Sequence, residues 1–466
     1  MNNRIVFRAI LVLLLVLSRQ LVPAFADDQT WKAGVARVNI SPELPIWLSG
    51  YGGRNKPAQD KLDDLWAKAL VLEDADGRRS VLVTMDLVGI DRELSREVCR
   101  RIEERFKLPR SAIALSVSHT HSGPVVRSNL AAMYSLSERD TKRIENYAAL
   151  LSDKLVEVVA AAFKTLQPAR LSWTVGKATF AVNRRNNPEG DVPRRQREHV
   201  LAGPVDHDLP VLAIHSLGEK PQLRAIVAGY ACHATVLSEY SLSADWPGVG
   251  QNELERRHPG ATVLFWAGCG ADQNPLPRRS IDWLNRHGRA FADAVDVALN
   301  SPLKPIDSKL STAYEEIDLK FGPLPSRDEL ESAAAGEPPQ ASWAKYLLQI
   351  WDRDGGLASS YPYPVQAWRL GDEINWLFLG GEVVVDYSLR LKSKLGRDTT
   401  WVASYTNDVM GYIPSQRVLA EGGYEGGGSR IPYGLPAVWT PEVEPQIIST
   451  VHRLVEEQKS RGAAEP

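Results

Sequence analysis

The stretch Ser111-Ala-Ile-Ala-Leu-Ser-Val-Ser-His119-Thr-His121-Ser-Gly-Pro124 decides how the chain reads. Side chains alternate faces along a strand, so Ile113, Leu115, Val117, His119 and His121 share one face and Ala114, Ser116, Ser118 and Thr120 the other. An apolar row of strand length ending in Gly-Pro predicts a buried strand with two imidazoles at its end. Burying them there is costly unless something binds them. A His-x-His pair on a strand end brings two nitrogens within reach of one metal ion, and zinc favours such neutral ligands. Taken alone, the tripeptide equally suits two hydrogen-bonded structural histidines.

The same alternation of strand-length apolar runs with longer helical patterns continues on both sides. Strands are predicted at Ala67–Leu72, Ser80–Thr84, Ala112–Ser118, Val211–His215, Ala225–Ala231, Thr262–Trp266, Ile374–Leu379 and Thr400–Ser404. Helices are predicted at Arg92–Phe106, Thr141–Leu166, Gly250–Arg257, Asp282–Leu299, Val383–Leu395 and Pro441–Gln458. This pattern implies a layered, mixed α/β domain. The sequence carries no internal repeat and no low-complexity linker, and the Pro-, Gly- and Ser-containing residues 309–363 read as an insertion covering part of that domain.

Loops at strand ends build sites, so polar residues just past an apolar run are the candidates. His233 closes Ala225-Ile-Val-Ala-Gly-Tyr-Ala-Cys-His, and Glu382 follows Trp376-Leu-Phe-Leu-Gly-Gly. Two glycines before Glu382 imply that backbone approaches something closely there. A carboxylate in a helix's first turn also has a plain electrostatic reason to be where it is. Two further strands end in Ala271-Asp272-Gln273-Asn274-Pro275 and in Tyr405-Thr-Asn-Asp-Val-Met-Gly-Tyr412, either of which alone is ordinary turn chemistry. His199, His207, His258, His287 and His452 fall in polar or helical contexts and read as solvated histidines.

Composition excludes other classes. With 55 Lys+Arg against 57 Asp+Glu the net charge is −2, which offers nucleic acid or an acidic membrane no electrostatic footprint. The 44% hydrophobic and 24% charged residues are those of a globular chain. Thirteen Trp beside four Met is a mild skew, compatible with a carbohydrate-facing surface or with simple burial. Arg4 and Arg8 precede an apolar run, and Ala24-Phe25-Ala26 is a small-x-small cleavage signal, so residues 1–26 are expected to be a signal peptide that sends a chain without a transmembrane segment to the periplasm or beyond. Cys99, Cys232 and Cys269 form neither a disulfide framework nor a thiolate cluster.

Together the motifs resemble those of the neutral/alkaline non-lysosomal ceramidases, zinc-dependent amidases. The resemblance runs in order through Gly34-Val-Ala-Arg-Val-Asn-Ile-Ser, Gly50-Tyr-Gly-Gly53, His119-Thr-His-Ser-Gly-Pro124, Asn183-Arg184, His233, Ser243-Ala-Asp245-x-x-Gly248, the Asp272-x-x-Pro275 turn, Gly381-Glu382 and the Tyr412/Tyr424 pair. It implies two central β-sheets flanked by helices in a single catalytic domain over residues 27–460, zinc held by His119, His233, Glu382 and Tyr412, and His121 and Tyr424 facing the substrate. It also places Arg184 and Asn183 at the pocket wall and Asp272 in the catalytic turn.

Two departures accompany the resemblance. Asn274 stands where the family has its nucleophilic serine, and an amide cannot be deprotonated into a nucleophile near neutral pH. With Pro466 as the last residue, no C-terminal β-sandwich is expected after the catalytic domain. The expectation is therefore hydrolysis of an N-acyl amide by metal-activated water, with Asn274 orienting water or substrate. Two other classes stay open: a glycosidase or other carbohydrate-active hydrolase on the same scaffold, and a non-catalytic zinc- or ligand-binding homologue. The substrate expected is a small, lipid-like or glycan molecule.

Overall fold

Strand-forming sequence and hairpin connections repeat three times along the chain. The computed structural model describes residues 30–464; the expected signal peptide lies outside them. Its first unit runs β1 (Trp31–Asn39), β2 (Trp66–Glu73) and β3 (Arg79–Met85), all antiparallel, then helix α1 (Arg92–Phe106), then β4 (Ile113–Val117) parallel to β3, then the long helix α2 (Glu138–Lys164). The second repeats the plan with β5 (Gln167–Lys177), β6 (Asp208–Ser216), β7 (Leu223–Tyr230), α3 (Asp245–Arg257), β8 (Thr262–Ala267) and α4 (Ile281–Leu299). In the third, β9 (Leu310–Lys320) and β10 (Ser360–Leu370) bracket a helix pair, α5 (Arg327–Ala334) and α6 (Gln340–Asp354); β11 (Ile374–Leu379), α7 (Val385–Leu395), β12 (Thr400–Ala403) and α8 (Val443–Ala464) follow. The repeat is one of topology, with no counterpart in the sequence.

Pairing of Trp31–Ala33 with Gln167–Ala169 joins units one and two into one sheet of order β8-β7-β6-β5-β1-β2-β3-β4; unit three forms a second sheet of order β9-β10-β11-β12. The sheets pack face to face, with Leu70, Leu212 and Leu264 against Phe378 and Ile374. Six of the thirteen tryptophans, Trp31, Trp173, Trp266, Trp368, Trp376 and Trp401, fill this layer, so the tryptophan excess goes largely into core. Helices α1–α4 cover the outer face of the large sheet and α7 and α8 that of the small one. The result is a four-layer helix–sheet–sheet–helix sandwich, the layered mixed α/β class with two central sheets.

Every expected strand and helix is present, but α7 starts at Val385, and Glu382 and Val383 lie ahead of it in a short strand paired with Tyr412–Ile413 rather than in a helix's first turn. Residues 309–363, however, are not an insertion throughout: their ends are β9 and β10, paired residue for residue from Leu310–Leu370 to Lys320–Ser360, and only the helix pair between them projects from the sheet. Pro362 and Pro364 in one strand and Glu315, Glu316 and Asp318 in the other obscured the pattern.

The segment after β12 fastens both edges of the large sheet. Ser404 N–H donates to Ala267 O beside β8, Val117 N–H in β4 donates to Tyr405 O, and Asn407 N–H donates to Leu115 O. The carboxyl ends of the parallel pairs β3/β4, β7/β8 and β11/β12 therefore meet at one point, where ligands bind in open α/β sheets.

Candidate metal centre and its wall

Each topological unit delivers a group to this junction. His119 lies two residues beyond β4, His233 three beyond β7 and Glu382 three beyond β11. In the first unit, the position equivalent to His233 and Glu382 is Val88, whose carbonyl accepts a hydrogen bond from His119 Nδ1 at 2.6 Å. His233 Nδ1 donates likewise to Gly270 O at 2.6 Å. With both Nδ1 protons committed to backbone, each ring turns an Nε2 lone pair inward. Both lone pairs face one carboxylate oxygen: Glu382 Oε2 is 3.0 Å from His119 Nε2 and 3.1 Å from His233 Nε2. Glu382 Oε1 accepts from the Tyr433 hydroxyl at 2.6 Å.

With both imidazoles neutral, three acceptors would converge here with no proton between them. The three residues are 0–2% exposed, and burial pushes the His233 pKa down to about 4, against a proton there. Burial opposes ionisation of Glu382 too, yet the His119 and His233 imidazoles hold its carboxyl well below the usual range. Acceptors converging in a dry site repel one another, and a divalent cation removes the conflict. The donor chemistry fits a metal ion, and His119, His121 and His233 place one ligand atom each within 4.8 Å of one another.

His121 differs from its neighbours. Its Nε2 is 3.1 Å from His119 Nε2, but its Nδ1 is buried without a partner. Burial, reinforced by the neighbouring imidazoles, lowers its pKa well below the usual value. Gly50, at φ +99°, lies against the ring; a Cβ there would sit 2.5 Å from it. The Tyr51 ring meets His121 edge-on at 4.9 Å, and Arg54 Nη1 donates to the His121 carbonyl. His119 itself is held at φ +60°, a strained value for a non-glycine residue, and its ring stacks on Tyr405 at 4.3 Å. Before Glu382, the close approach expected of the glycines is realised: a Cβ on Gly381, at φ +70°, would lie 2.7 Å from Gly411 O.

A second group of residues forms a wall. The Tyr412 hydroxyl is 3.4 Å from His233 Nε2 and accepts from Arg184 Nη2 at 2.9 Å. Burial raises the Tyr412 pKa well above its usual value although Arg184 opposes this, so the phenol keeps its proton. Arg184 also donates through Nε to Glu425 at 2.7 Å and through Nη1 to Asn274 Oδ1 at 3.4 Å. Tyr424 sets its ring edge-on to Tyr412 at 5.2 Å and is 45% exposed.

Asp272 and Asn183 stand behind this wall. Asp272 is fully buried, accepts from Val385 N–H at the start of α7, and its carbonyl accepts from Arg184 N–H. Burial pushes its carboxyl up to about 6. Asn183 Oδ1 accepts from Arg185 and Asn186 N–H and fixes the turn that carries Arg184. Of the five histidines read as solvated, only His199 is exposed: His287 is buried, with Nε2 donating to Pro277 O at 2.7 Å, and His207 and His258 are half-buried and hydrogen-bonded to Ala181 O and Asp296. Cys232 and Cys269 are buried free thiols, raised in pKa by burial. Tyr405 stands inside the turn segment that leads to Tyr412 and Glu425 directly follows Tyr424, whereas Tyr433 has no local signal; it is recruited by the path of the loop before α8.

Fold and junction together define a layered α/β protein with a buried histidine–carboxylate centre at the strand ends. The chain belongs to the family described as neutral/alkaline non-lysosomal ceramidase, N-terminal, whose model matches residues 31–266. It is 26% identical to neutral ceramidase A of Dictyostelium discoideum over 360 residues, covering 71% of this chain and 47% of that protein. Similarity to the Drosophila melanogaster neutral ceramidase reaches 32% over 98 residues, 20% of this chain and 14% of the relative. The chain thus spans about half the length, or less, of these relatives. The crystal structure of neutral ceramidase from Pseudomonas aeruginosa superposes with a TM-score of 0.71 at 19% identity, covering 93% of this chain and 75% of that one, a likeness of fold.

Proposed function

We propose that the chain is an exported zinc-dependent hydrolase of an amide bond. The observation that carries this reading is the convergence of His119 Nε2 and His233 Nε2 on one buried oxygen of Glu382, at 3.0 and 3.1 Å. His119, His233 and Glu382 would hold the ion, with Tyr412 as a weak fourth ligand. When bound, zinc would supply Lewis acidity and lower the pKa of water toward about 7.

His121 is assigned to proton transfer rather than to the ion. Its Nδ1 lacks the backbone anchor that fixes the other two rings, so its tautomer is free to change. It would take a proton from the attacking water and return one to the leaving nitrogen as the C–N bond breaks, giving a carboxylate and an amine. Tyr424 would donate to the developing oxyanion. Asn274, held by Arg184, would orient the carbonyl or the water, since its amide cannot form an acyl-enzyme. Among the described residues no helix is long and apolar enough to cross a membrane.

The test combines metal analysis of the purified protein with a screen of N-acyl amides. We expect zinc near one equivalent, loss of hydrolysis on chelation and recovery on adding zinc back. Full turnover by metal-stripped protein would overturn the reading.

A further inference from the structure

Beside Tyr424 the wall opens into a cavity of about 510 Å³. That size is ordinary for ligand sites, roughly 300–1,000 Å³, but such sites are lined mainly by apolar side chains. Here Arg184, Arg185 and Arg278 alternate with Glu189, Glu421 and Glu425, and Leu276 is the one aliphatic side chain. The charges cancel in pairs: Arg184–Glu425 at 2.7 Å, Arg185–Glu425 at 2.6 Å, Arg185–Glu421 at 3.0 Å and Arg278–Glu189 at 2.7 Å. An anion or cation finds no uncompensated partner there. An alkyl chain would strip water from six charged groups and return no hydrogen bond. A neutral ligand rich in hydroxyls, by contrast, meets donors and acceptors in alternation and replaces the water it displaces.

Two further observations narrow the class. Tyr424, 45% exposed, offers an aromatic surface at the cavity edge, suited to the C–H face of a sugar ring. Arg184 lines the cavity and also donates to the Tyr412 hydroxyl, itself 3.4 Å from His233 Nε2, so Arg184 and Tyr412 are the two side chains that link the cavity to the metal centre. We propose that this cavity binds the ring of an N-acylated amino sugar and presents its amide to the centre, in place of a long-chain lipid amide. The inference rests on the amide-hydrolase reading for the amide and on the cavity for the sugar.

The test measures binding and turnover separately on the zinc-loaded protein, with N-acetylglucosamine and its short oligomers against long-chain N-acyl amides of an aminodiol. We expect sugar binding by ligand-observed NMR, unchanged within about threefold in Tyr424→Phe and weakened at least tenfold in Tyr424→Ser. A double Glu189→Leu, Arg278→Leu variant, with folding checked by thermal melting, should also weaken it at least tenfold. Sugar binding without any amide turnover would support the cavity assignment and sink the hydrolase reading. Turnover of lipid amides without sugar binding would overturn the cavity assignment and leave the hydrolase reading standing. Equal sugar affinity in Tyr424→Ser would also overturn it.

Discussion

His119, His233 and Glu382 each follow a strand and are pinned by neighbouring groups, whereas Arg184 rides on a turn and holds Asn274, Tyr412 and Glu425, with Tyr424 resting on the Tyr412 ring. The first set is almost wholly buried, and its histidine Nδ1 atoms are fixed by backbone carbonyls 2.6 Å away. The second depends on side-chain bonds of 2.7–3.4 Å radiating from one guanidinium, at the rim of an open cavity. Three strand ends, two of them topologically equivalent, make the first set rigid. The wall has no such symmetry, and apart from Tyr412 its side chains make no hydrogen bond to the three buried residues.

The largest effect should come from breaking the rigid set. Replacing His119 or His233 by Ala removes one of two facing nitrogens, and bound zinc and activity should both fall to background, read by metal mass spectrometry and amide turnover. Glu382→Gln keeps the shape but replaces an anion with an amide, and should cost at least about 10²-fold in zinc affinity, beyond the 10–100-fold typical of outer-shell changes. Retention of stoichiometric zinc by either histidine variant would remove the basis of the assignment.

A smaller loss is expected on the wall. Tyr424→Phe should lower kcat by about 10²–10³ if the hydroxyl meets developing charge, with zinc content unchanged. Equal loss of zinc in this variant would mean that wall and centre are one unit, and the contrast between them would fail. Asn274→Ser restores a hydroxyl at the position of the family's serine; a burst of amine release exceeding steady-state turnover would show that the wall alone decides between covalent and direct hydrolysis.

The same contrast explains what could be read from the chain. The centre was legible because each member terminates an apolar run: Leu115 and Val117 before His119, Ile226 and Val227 before His233, Trp376 and Phe378 before Glu382. Long-range order was not. The β9 and β10 strands, with prolines and carboxylates in place of alternating apolar residues, concealed the third unit, and its equivalence to the others exists in strand order alone. Tyr433 reaches Glu382 from 51 residues away, a contact no local spacing encodes.

Behind His233 lies a tier that holds the backbone of the centre. Asp245, at φ +55°, accepts from Val236, Leu237 and Trp246 N–H at 2.7–3.1 Å, while Trp246 Nε1 donates to the His233 carbonyl. Asp245→Asn turns one acceptor into a donor facing a donor. Zinc affinity should fall about 10–100-fold with the fold intact, measured by competition with a chromogenic chelator. An unchanged affinity would show that the strand end alone positions His233.

The mildest prediction concerns the loop that fastens the two sheets. Asp408 is buried, its carboxylate accepts from the Tyr361 hydroxyl at 2.6 Å, and burial pushes its pKa up to about 7. Because the folded pKa lies above the unfolded value near 4, the folded state retains this proton between about pH 4 and 7 while the unfolded state releases it. The contribution of Asp408 is therefore present at low pH and lost as pH rises through 7. Asp408→Asn keeps an oxygen acceptor for Tyr361 and removes the charge. Its melting temperature relative to the parent should rise between pH 4 and pH 8, by the equivalent of about 1–4 kcal/mol, with zinc content unchanged. A difference independent of pH would mean that Asp408 is ionised at no cost, and the loop's hold on the sheets would then owe nothing to the protonation of this side chain.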